Sequence, residues 1–261
     1  MLIDTHCHLD AAEFDRDRAE VLEAARAAGV GGCLVPAVCA ENFDAVAALS
    51  ASRRSCCHAL GIHPLYVQRA QESDLELLRA RLAEGAAVAV GEIGLDGFVA
   101  DGDLPLQRRY FEAQLKIARD FELPVVLHIR RAQDEILKYL RRIAVPGGIA
   151  HAFNGSRQQA EAFIKLGFRL GFGGTMTFDG SRRIRELATS LPLSAIVLET
   201  DAPDMPPAWA GGQRNEPANL ARFARVLAEL RGMSVEEVIE ATGANALAAL
   251  PGLAALRQTE A

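Results

Sequence analysis

The sequence contains no run of about eighteen consecutive apolar residues, the length that predicts a membrane-spanning helix. It also carries no excess of positive charge. A formal net charge of -6 and an isoelectric point near 5.6 disfavour a protein that coats nucleic acid through a general basic surface. Lysine is scarce, because Lys116, Lys138 and Lys165 are the only lysines and all other basic residues are arginines. We therefore expect no membrane partner, and we expect phosphate contacts to depend on arginine or on bound cations.

Cysteine is also scarce and unsuited to a disulfide framework. The five cysteines are an odd number, and Cys56 and Cys57 are adjacent, which excludes a regular set of disulfide pairs. The N-terminus lacks the apolar stretch of a cleavable signal peptide, because Asp4, His6 and His8 interrupt it at once. These features predict a protein of the reducing cytoplasm.

Short apolar segments alternate with helical patterns eight times along the 261 residues. The predicted strands span residues 2–7, 32–38, 56–62, 87–93, 124–129, 148–152, 168–172 and 195–200. Most are near-continuous hydrophobic runs, which is typical of parallel strands covered by helices. No change of composition and no long linker divides the chain, so we predict a single domain over residues 1–261.

The helices between these strands have apolar faces at helical spacing. One face comprises Leu106, Tyr110, Ala113, Ile117 and Phe121, and another comprises Leu220, Phe223, Val226, Leu227 and Leu230. Ser234 and Glu237 form the capping box of an extra helix after the eighth unit. Eight strand–helix units predict an α/β fold, a (β/α)8 TIM barrel with an extra C-terminal helix. A doubly wound open sheet is the alternative, because a strand count does not establish closure.

Histidines and carboxylates recur at the carboxyl ends of the predicted strands. They are His6 and His8 on strand one, Glu92 on four, His128 on five, His151 on six and Asp201 on eight. In a barrel these ends share one rim, where the active sites of such enzymes lie. His6 and His8 also share one face of an extended strand, because side chains alternate with period two. The set predicts a metal site rather than six unrelated polar residues.

Six ligands exceed the four of a tetrahedral zinc site, so two divalent ions, with Glu92 between them, are the simpler interpretation. The expected ligands are, for one ion, His6, His8 and Asp201 and, for the other, His128 and His151. Two ions about 3.5–4 Å apart polarise a phosphoryl or carbonyl oxygen and lower the pKa of water to about 7. Asp201 then needs only to orient the water and accept its proton. Zn²⁺, Mn²⁺ and Mg²⁺ are all candidates, although histidine ligands disfavour a pure Mg²⁺ site.

Seven short motifs are distributed along nearly the whole chain. They are residues 3–10 (IDTHCHLD), 61–64 (GIHP), 91–96 (GEIGLD), 124–130 (PVVLHIR), 151–156 (HAFNGS), 198–203 (LETDAP) and 214–217 (RNEP). Together they resemble the TatD-like metal-dependent deoxyribonucleases of the amidohydrolase superfamily. The resemblance implies a distorted TIM barrel, a two-metal site with the six ligands above, and hydrolysis of DNA phosphodiesters. It also implies that His63 faces the site and contacts substrate.

The remaining polar residues near the strand ends suit an anionic substrate. Arginines follow several strand ends, at Arg130, Arg131, Arg157, Arg182, Arg183 and Arg214. Together they predict a positive mouth on an acidic protein, suited to phosphate, and we assign Arg130 to substrate binding. Asn154 and Ser156 begin the sixth helix, where free backbone amides hold an anion, so we assign both to substrate binding as well.

The leading hypothesis is a two-metal hydrolase of phosphodiester bonds that acts on DNA, at single strands or ends. A small-substrate amidohydrolase or esterase with the same binuclear site is the first alternative. Many such enzymes bridge their metals with a carboxylated lysine on strand four, whereas Glu92 stands there and no lysine ends a strand. A barrel that binds without turnover is the second alternative, and the complete ligand set argues against it. The sequence leaves the oligomeric state open, and a monomer is consistent with it.

Overall fold

The protein is represented by a computed structural model that describes residues 1–99 and 102–259. Within these residues eight parallel strands follow one another, and a helix follows each of them. The strands are β1 (Leu2–Asp4), β2 (Val30–Pro36), β3 (Cys56–Ala59), β4 (Val90–Asp96), β5 (Val125–Arg130), β6 (Gly148–Ala150), β7 (Phe168–Phe172) and β8 (Ile196–Leu198). Four of them, namely β1, β3, β6 and β8, are shorter than predicted, so several candidate site residues lie in the loops just beyond them.

Helices cover the strands on the outside, and a further helix follows the eighth unit. They are α1 (Arg18–Ala27), α2 (Phe43–Ser52), α3 (Glu72–Ala83), α4 (Leu104–Asp120), α5 (Gln133–Arg142), α6 (Arg157–Lys165), α7 (Arg182–Ser190), α8 (Leu220–Arg231) and α9 (Val235–Ala249). The predicted capping box of α9 is confirmed, because the Ser234 hydroxyl accepts from the Glu237 amide (3.2 Å) and the Ser234 amide donates to the Glu237 carboxylate (2.9 Å). None of the described helices is long and apolar enough to cross a membrane.

The strands pair in sequence order, in one sheet of β1–β2–β3 and another of β4–β5–β6–β7–β8. A single bridge between Leu60 and Val90 connects the two sheets on one side. On the other side the Thr5 amide donates to the Leu198 carbonyl (3.1 Å) and the Asp201 amide to the His6 carbonyl (2.8 Å). A doubly wound sheet requires a reversal of strand order, which these pairings lack. The fold is the expected α/β barrel type, with regular pairing interrupted at two places.

The segment that follows α9 packs against the strands. One buried cluster combines strand residues such as Ile3, Val126 and Val197 with Leu250 and Leu253, which follow α9. The cluster includes residues of six strands, three from each sheet, so the C-terminal segment packs against both sheets. All five cysteines are buried and free, as the sequence predicts.

The predicted apolar face of α4 is confirmed at Tyr110 and Ile117, which are each 2% exposed, but the buried face is wider than predicted and includes polar residues. Leu106 is only partly buried, whereas its neighbour Gln107 is 1% exposed and Gln114, two turns later, is 0% exposed. Gln107 accepts from the Asp96 amide (2.9 Å), and Gln114 makes two hydrogen bonds with the backbone of Ile62 (2.6 and 3.0 Å). Because these bonds satisfy amides that would otherwise be buried without partners, the glutamines are buried in place of leucine. The helix thereby fastens two segments that lead into the candidate site.

Candidate metal centre

The six predicted ligands converge at the carboxyl ends of the strands. Glu92 and His128 lie within β4 and β5, whereas His6, His8, His151 and Asp201 lie in the loops after β1, β6 and β8. All except the fully buried His6 line a cleft of about 840 Å³. Nitrogen and carboxylate oxygen donors thus meet at the bottom of an open cleft, which is the composition of a divalent metal site.

His6, His8 and Asp201 point their donor atoms at one another. The two histidine Nε2 atoms are 3.3 Å apart, and the Asp201 Oδ1 atom lies 3.7 Å from His6 Nε2 and 3.6 Å from His8 Nε2. Two Nε2 atoms this close cannot both carry a hydrogen, so at least one of them presents a lone pair to the other histidine and to Asp201. A divalent cation fits such a donor set, because it accepts all of these lone pairs at once.

Glu92 directs its two carboxylate oxygens to opposite sides. Its Oε2 atom lies 3.1 Å from His6 Nε2 and 3.7 Å from His8 Nε2, whereas its Oε1 atom lies 3.0 Å from His128 Nδ1 and 3.6 Å from His63 Nε2. Burial opposes the charge of Glu92, but the surrounding histidines outweigh it and hold its pKa well below the usual range. An ionised carboxylate between two sets of imidazoles has the geometry of a bridging ligand.

His151 lies beside His6 rather than beside His128. Its ring stacks on His6 with 3.6 Å between centroids, and its Nε2 atom is 3.5 Å from Asp201 Oδ1. The contacts therefore divide the donors differently from the expected grouping. We call His6, His8, His151 and Asp201 the first donor group and His63 and His128 the second donor group, with Glu92 between them.

Two buried carboxylates stand behind these histidines. Glu199 Oε1 lies 3.0 Å from His151 Nδ1, and Asp96 Oδ2 lies 3.0 Å from His128 Nε2. Burial disfavours protonation of both imidazoles, but Glu199 and Asp201 raise the pKa of His151 well above its usual value, and Asp96 and Glu92 raise that of His128. The same charges that stabilise a protonated imidazole stabilise a metal cation nearby, and the carboxylates also fix the ring orientation.

The pKa values of three further groups follow from burial and neighbours. Burial lowers the pKa of His63 to about 3, so this ring is neutral, and its Nδ1 atom accepts from the Leu65 amide (3.2 Å). Burial opposes the charge of Asp201, but His151, His6 and His8 lower its pKa below the usual value. For Asp96, the hydrogen bonds from His128 and from the Phe98 amide outweigh burial and lower the pKa to about 2. The carboxylates are thus ionised at neutral pH.

The backbone around Asp201 is held in an unusual conformation. Asp201 has φ of 60°, in the left-handed region that asparagine and aspartate tolerate better than most residues. The preceding Thr200 is fixed from both sides, because its hydroxyl donates to Asp4 (2.6 Å) and its carbonyl accepts from the fully buried Asn215 (2.8 Å). Asn215 also donates to the Met205 carbonyl (3.2 Å). The strain at Asp201 is therefore maintained by a buried network, as is typical of functional positions.

The structure brings three of the four predicted substrate residues to the cleft. His63, Arg130 and Asn154 line it, and His63 lies close enough to Glu92 to belong to the donor set. Ser156 is not among the lining residues. It is the N-cap of α6, where its hydroxyl accepts from the Gln159 amide (3.2 Å), so its oxygen caps the helix instead of facing the cleft.

The predicted positive mouth is weaker than the arginine count suggests. Arg214 forms ion pairs with Asp17 and Glu216, and Arg157 forms one with Glu161. On the β8–β1 side of the cleft the lining includes acidic residues, namely Asp10, Glu13 and Asp204. Arg130 lines the cleft on the β5 side, and Arg183 donates to the side chain of Asn154, which also lines the cleft.

Several residues that support the site were not predicted from the sequence. Asp96 lies in the GEIGLD motif, four residues after Glu92. An even spacing along a strand places both side chains on the same face, and this spacing could have identified Asp96. Gln107 and Gln114 are seven residues apart, so a polar pair recurs on one helical face. Asn215 lies in the RNEP motif, and nothing in the sequence pattern indicates its contact with Thr200.

Comparisons with known proteins agree with this geometry. Residues 3–251 match the sequence profile described as TatD related DNase. The uncharacterized metal-dependent hydrolase YjjV of Escherichia coli K12 is 43% identical over 242 residues, covering 92% of this chain and 93% of that protein. The crystal structure of that TatD homologue superposes with a TM-score of 0.93, covering 96% of this chain and 98% of that one at 42% identity. The human deoxyribonuclease TATDN3 is 33% identical and is covered over 97% of its length by 98% of this chain. The chain therefore belongs to the TatD-related family of metal-dependent hydrolases.

Proposed function

We propose that this protein hydrolyses phosphodiester bonds of DNA with two divalent ions, one held by each donor group and both by Glu92. The observation that carries the proposal is the division of the Glu92 carboxylate, whose two oxygens face separate sets of histidines. A carboxylate that binds a single ion needs histidines beside only one of its oxygens, whereas Glu92 has histidines beside both. The histidine-rich donor set favours Zn²⁺ or Mn²⁺ over Mg²⁺.

Divalent ions supply Lewis-acid polarisation of a phosphoryl oxygen and ionise water near neutral pH when they are bound. The residues of the chain then have separate tasks. Asp201 accepts the proton of the attacking water, since its ionised Oδ1 atom lies at the centre of the first donor group. Glu199 keeps the Nε2 atom of His151 directed at that oxygen, because its own oxygen faces the opposite nitrogen of the ring.

Three lines of support favour DNA as the substrate. A relative of similar length carries the name deoxyribonuclease. The cleft is open and has a guanidinium on one wall, which suits a polyanionic chain rather than a small neutral amide. Glu92 stands where a lysine would be expected in many amidohydrolases of this superfamily. We assign Arg130 and Asn154 to the phosphate backbone and His63 to the second donor group or to the substrate oxygen beside it.

The decisive test is hydrolysis by metal-loaded protein on a panel of single-stranded DNA, duplex DNA, RNA and a cyclic amide. We expect DNA cleavage that disappears with a chelator and returns with Zn²⁺ or Mn²⁺. Exclusive turnover of the cyclic amide would replace the proposal by a small-substrate amidohydrolase. Full metal loading with no turnover of any substrate would indicate a binding protein.

A further inference from the structure

Arg130 is supported from behind by an exposed aromatic ring. Its guanidinium carbon lies 3.8 Å from the centroid of the Phe98 ring, and that of Arg131 lies 4.5 Å from the same centroid. Arg130 lines the cleft, whereas Phe98 and Arg131 do not. The side chain of Arg130 therefore lies over the phenyl ring and also borders the cleft.

Phe98 is itself tied to the metal centre. Its amide donates to Asp96 Oδ1 (2.8 Å), and the other oxygen of Asp96 lies 3.0 Å from His128 Nε2. The side chain of Phe98 is nevertheless 47% exposed. Phe98 thus lies close to the second donor group while about half of it is exposed to water. Support of the Arg130 guanidinium explains this placement.

The cleft presents apolar and aromatic side chains as well as a guanidinium. Leu65, Tyr66 and Ile129 line it, and Leu65 is 46% exposed. Tyr66 lies next to the donor groups, because its ring centroid is 6.1 Å from that of His63. A phosphate gains nothing from such surfaces, whereas an unpaired nucleobase stacks on aromatic rings and guanidinium planes.

We propose that Phe98 and Arg130 form a nucleobase subsite, in which an unpaired base of the substrate stacks on the cleft-facing plane of the Arg130 guanidinium. The proposal rests on the proposed function and extends it to substrate specificity. Arg130 and His128 are two residues apart on the same face of β5, about 7 Å along the strand. A base at Arg130 thus belongs to a nucleotide whose phosphate lies at the metal centre. Phe98 acts as a positioning residue, since it holds the guanidinium flat.

The test compares two ligands that differ only in the base, thymidine 5′-monophosphate and 1,2-dideoxyribose 5-phosphate, by calorimetric titration of the metal-loaded protein. We expect thymidine 5′-monophosphate to bind about 5-fold or more tightly, because stacking of one base contributes at least that factor. In Phe98→Ala the two dissociation constants should agree within about 2-fold. Phe98→Tyr should restore the difference, because tyrosine offers the same planar ring.

Phe178→Ala is the matched control, because Phe178 is 43% exposed and is not among the residues lining the cleft. It should keep the wild-type ratio of the two dissociation constants. Equal binding of both ligands by the wild-type protein would overturn the proposal, and so would an unchanged ratio in Phe98→Ala. An equal loss for both ligands in Phe98→Ala would assign Arg130 to phosphate alone. Neither ligand is a diester, so a protein that discriminates between them but fails to cleave DNA would refute the proposed function and leave the subsite standing.

Discussion

The two donor groups on either side of Glu92 are held in different ways. The first donor group is fixed through backbone segments that meet where β8 returns to β1, and the buried Asp4, Thr200 and Asn215 connect them. The second is fixed from outside the strands by α4, whose Gln114 holds the segment before His63. The first group has four donors including a carboxylate, whereas the second has two imidazoles. We infer that the first ion binds more tightly than the second.

The largest effect is expected where both groups depend on one residue. Glu92→Ala removes the oxygen on each side, so both ions should be lost and DNA hydrolysis should fall to background. Metal content by mass spectrometry after saturation and gel filtration checks this, with Glu161→Ala as a control on the surface of α6. Retention of two ions by Glu92→Ala would show that the two groups are independent.

The next effect separates proton transfer from metal binding within the first donor group. Asp201→Asn keeps the size and one oxygen ligand but removes the base, so turnover should fall by about 10²–10⁴-fold with little change in KM. Steady-state kinetics and metal content measure the two properties, and Asp179→Asn, at a fully exposed position, is the control. Near-normal turnover with normal metal content would transfer the role of base to another residue, with His63 the next candidate.

Substitution of the two supporting carboxylates, one at a time, tests whether the two donor groups bind their ions separately. Asp96→Asn should weaken the second ion by about 10–100-fold and leave the first unchanged, because the carboxylate behind a ligand histidine sets its orientation and basicity. Glu199→Gln should do the reverse. Competition titrations with a chelating dye resolve the two affinities. If either substitution weakened both ions alike, the division into two groups would be wrong.

The outside support of the second group predicts a measurable loss of stability. Gln114→Leu leaves the amide and the carbonyl of Ile62 buried without partners, which should lower the free energy of unfolding by about 1–3 kcal/mol. Urea denaturation measures the loss. Gln133→Leu, which removes an exposed hydrogen bond to the Asn154 carbonyl, should change the free energy of unfolding by less than about 0.5 kcal/mol. Similar losses for both glutamines would mean that α4 does not support the site in this way.

The smallest effect concerns the unequal charge of the cleft walls. Raising ionic strength should weaken DNA binding modestly, because few arginines face the cleft without an acidic partner. The rate at saturating DNA should change less, since buried charges are screened less than exposed ones. Dissociation constants measured over a series of salt concentrations give the slope. A steep slope would restore the broad positive mouth that the sequence predicts, and an affinity independent of salt would exclude phosphate contacts by arginine.

The sequence was sufficient for the fold class and for the convergence of the six candidate ligands. Eight apolar runs separated by amphipathic helices predict parallel strands, and the strands of a parallel barrel place their carboxyl ends on one rim. The order of strand pairing then excluded the doubly wound alternative. His6, Glu92 and Asp201 are more than eighty residues apart in the chain, yet this rule alone predicts that they meet. The role of each as a metal ligand remains a prediction.

Only the tertiary structure decided how the donors divide and what supports them. Strand parity does not predict the side-chain directions of His151 and Asp201, because both residues lie in loops. The backbone there is no longer extended, and φ is positive at Ala152 and at Asp201. Ser156 is a second example. Its position after a strand predicts a place in the cleft, but in the structure its hydroxyl caps α6. Hydrogen bonds such as Gln114 to Ile62 join residues from different elements. Periodicity describes one element at a time, so contacts of this kind emerge only when the elements pack.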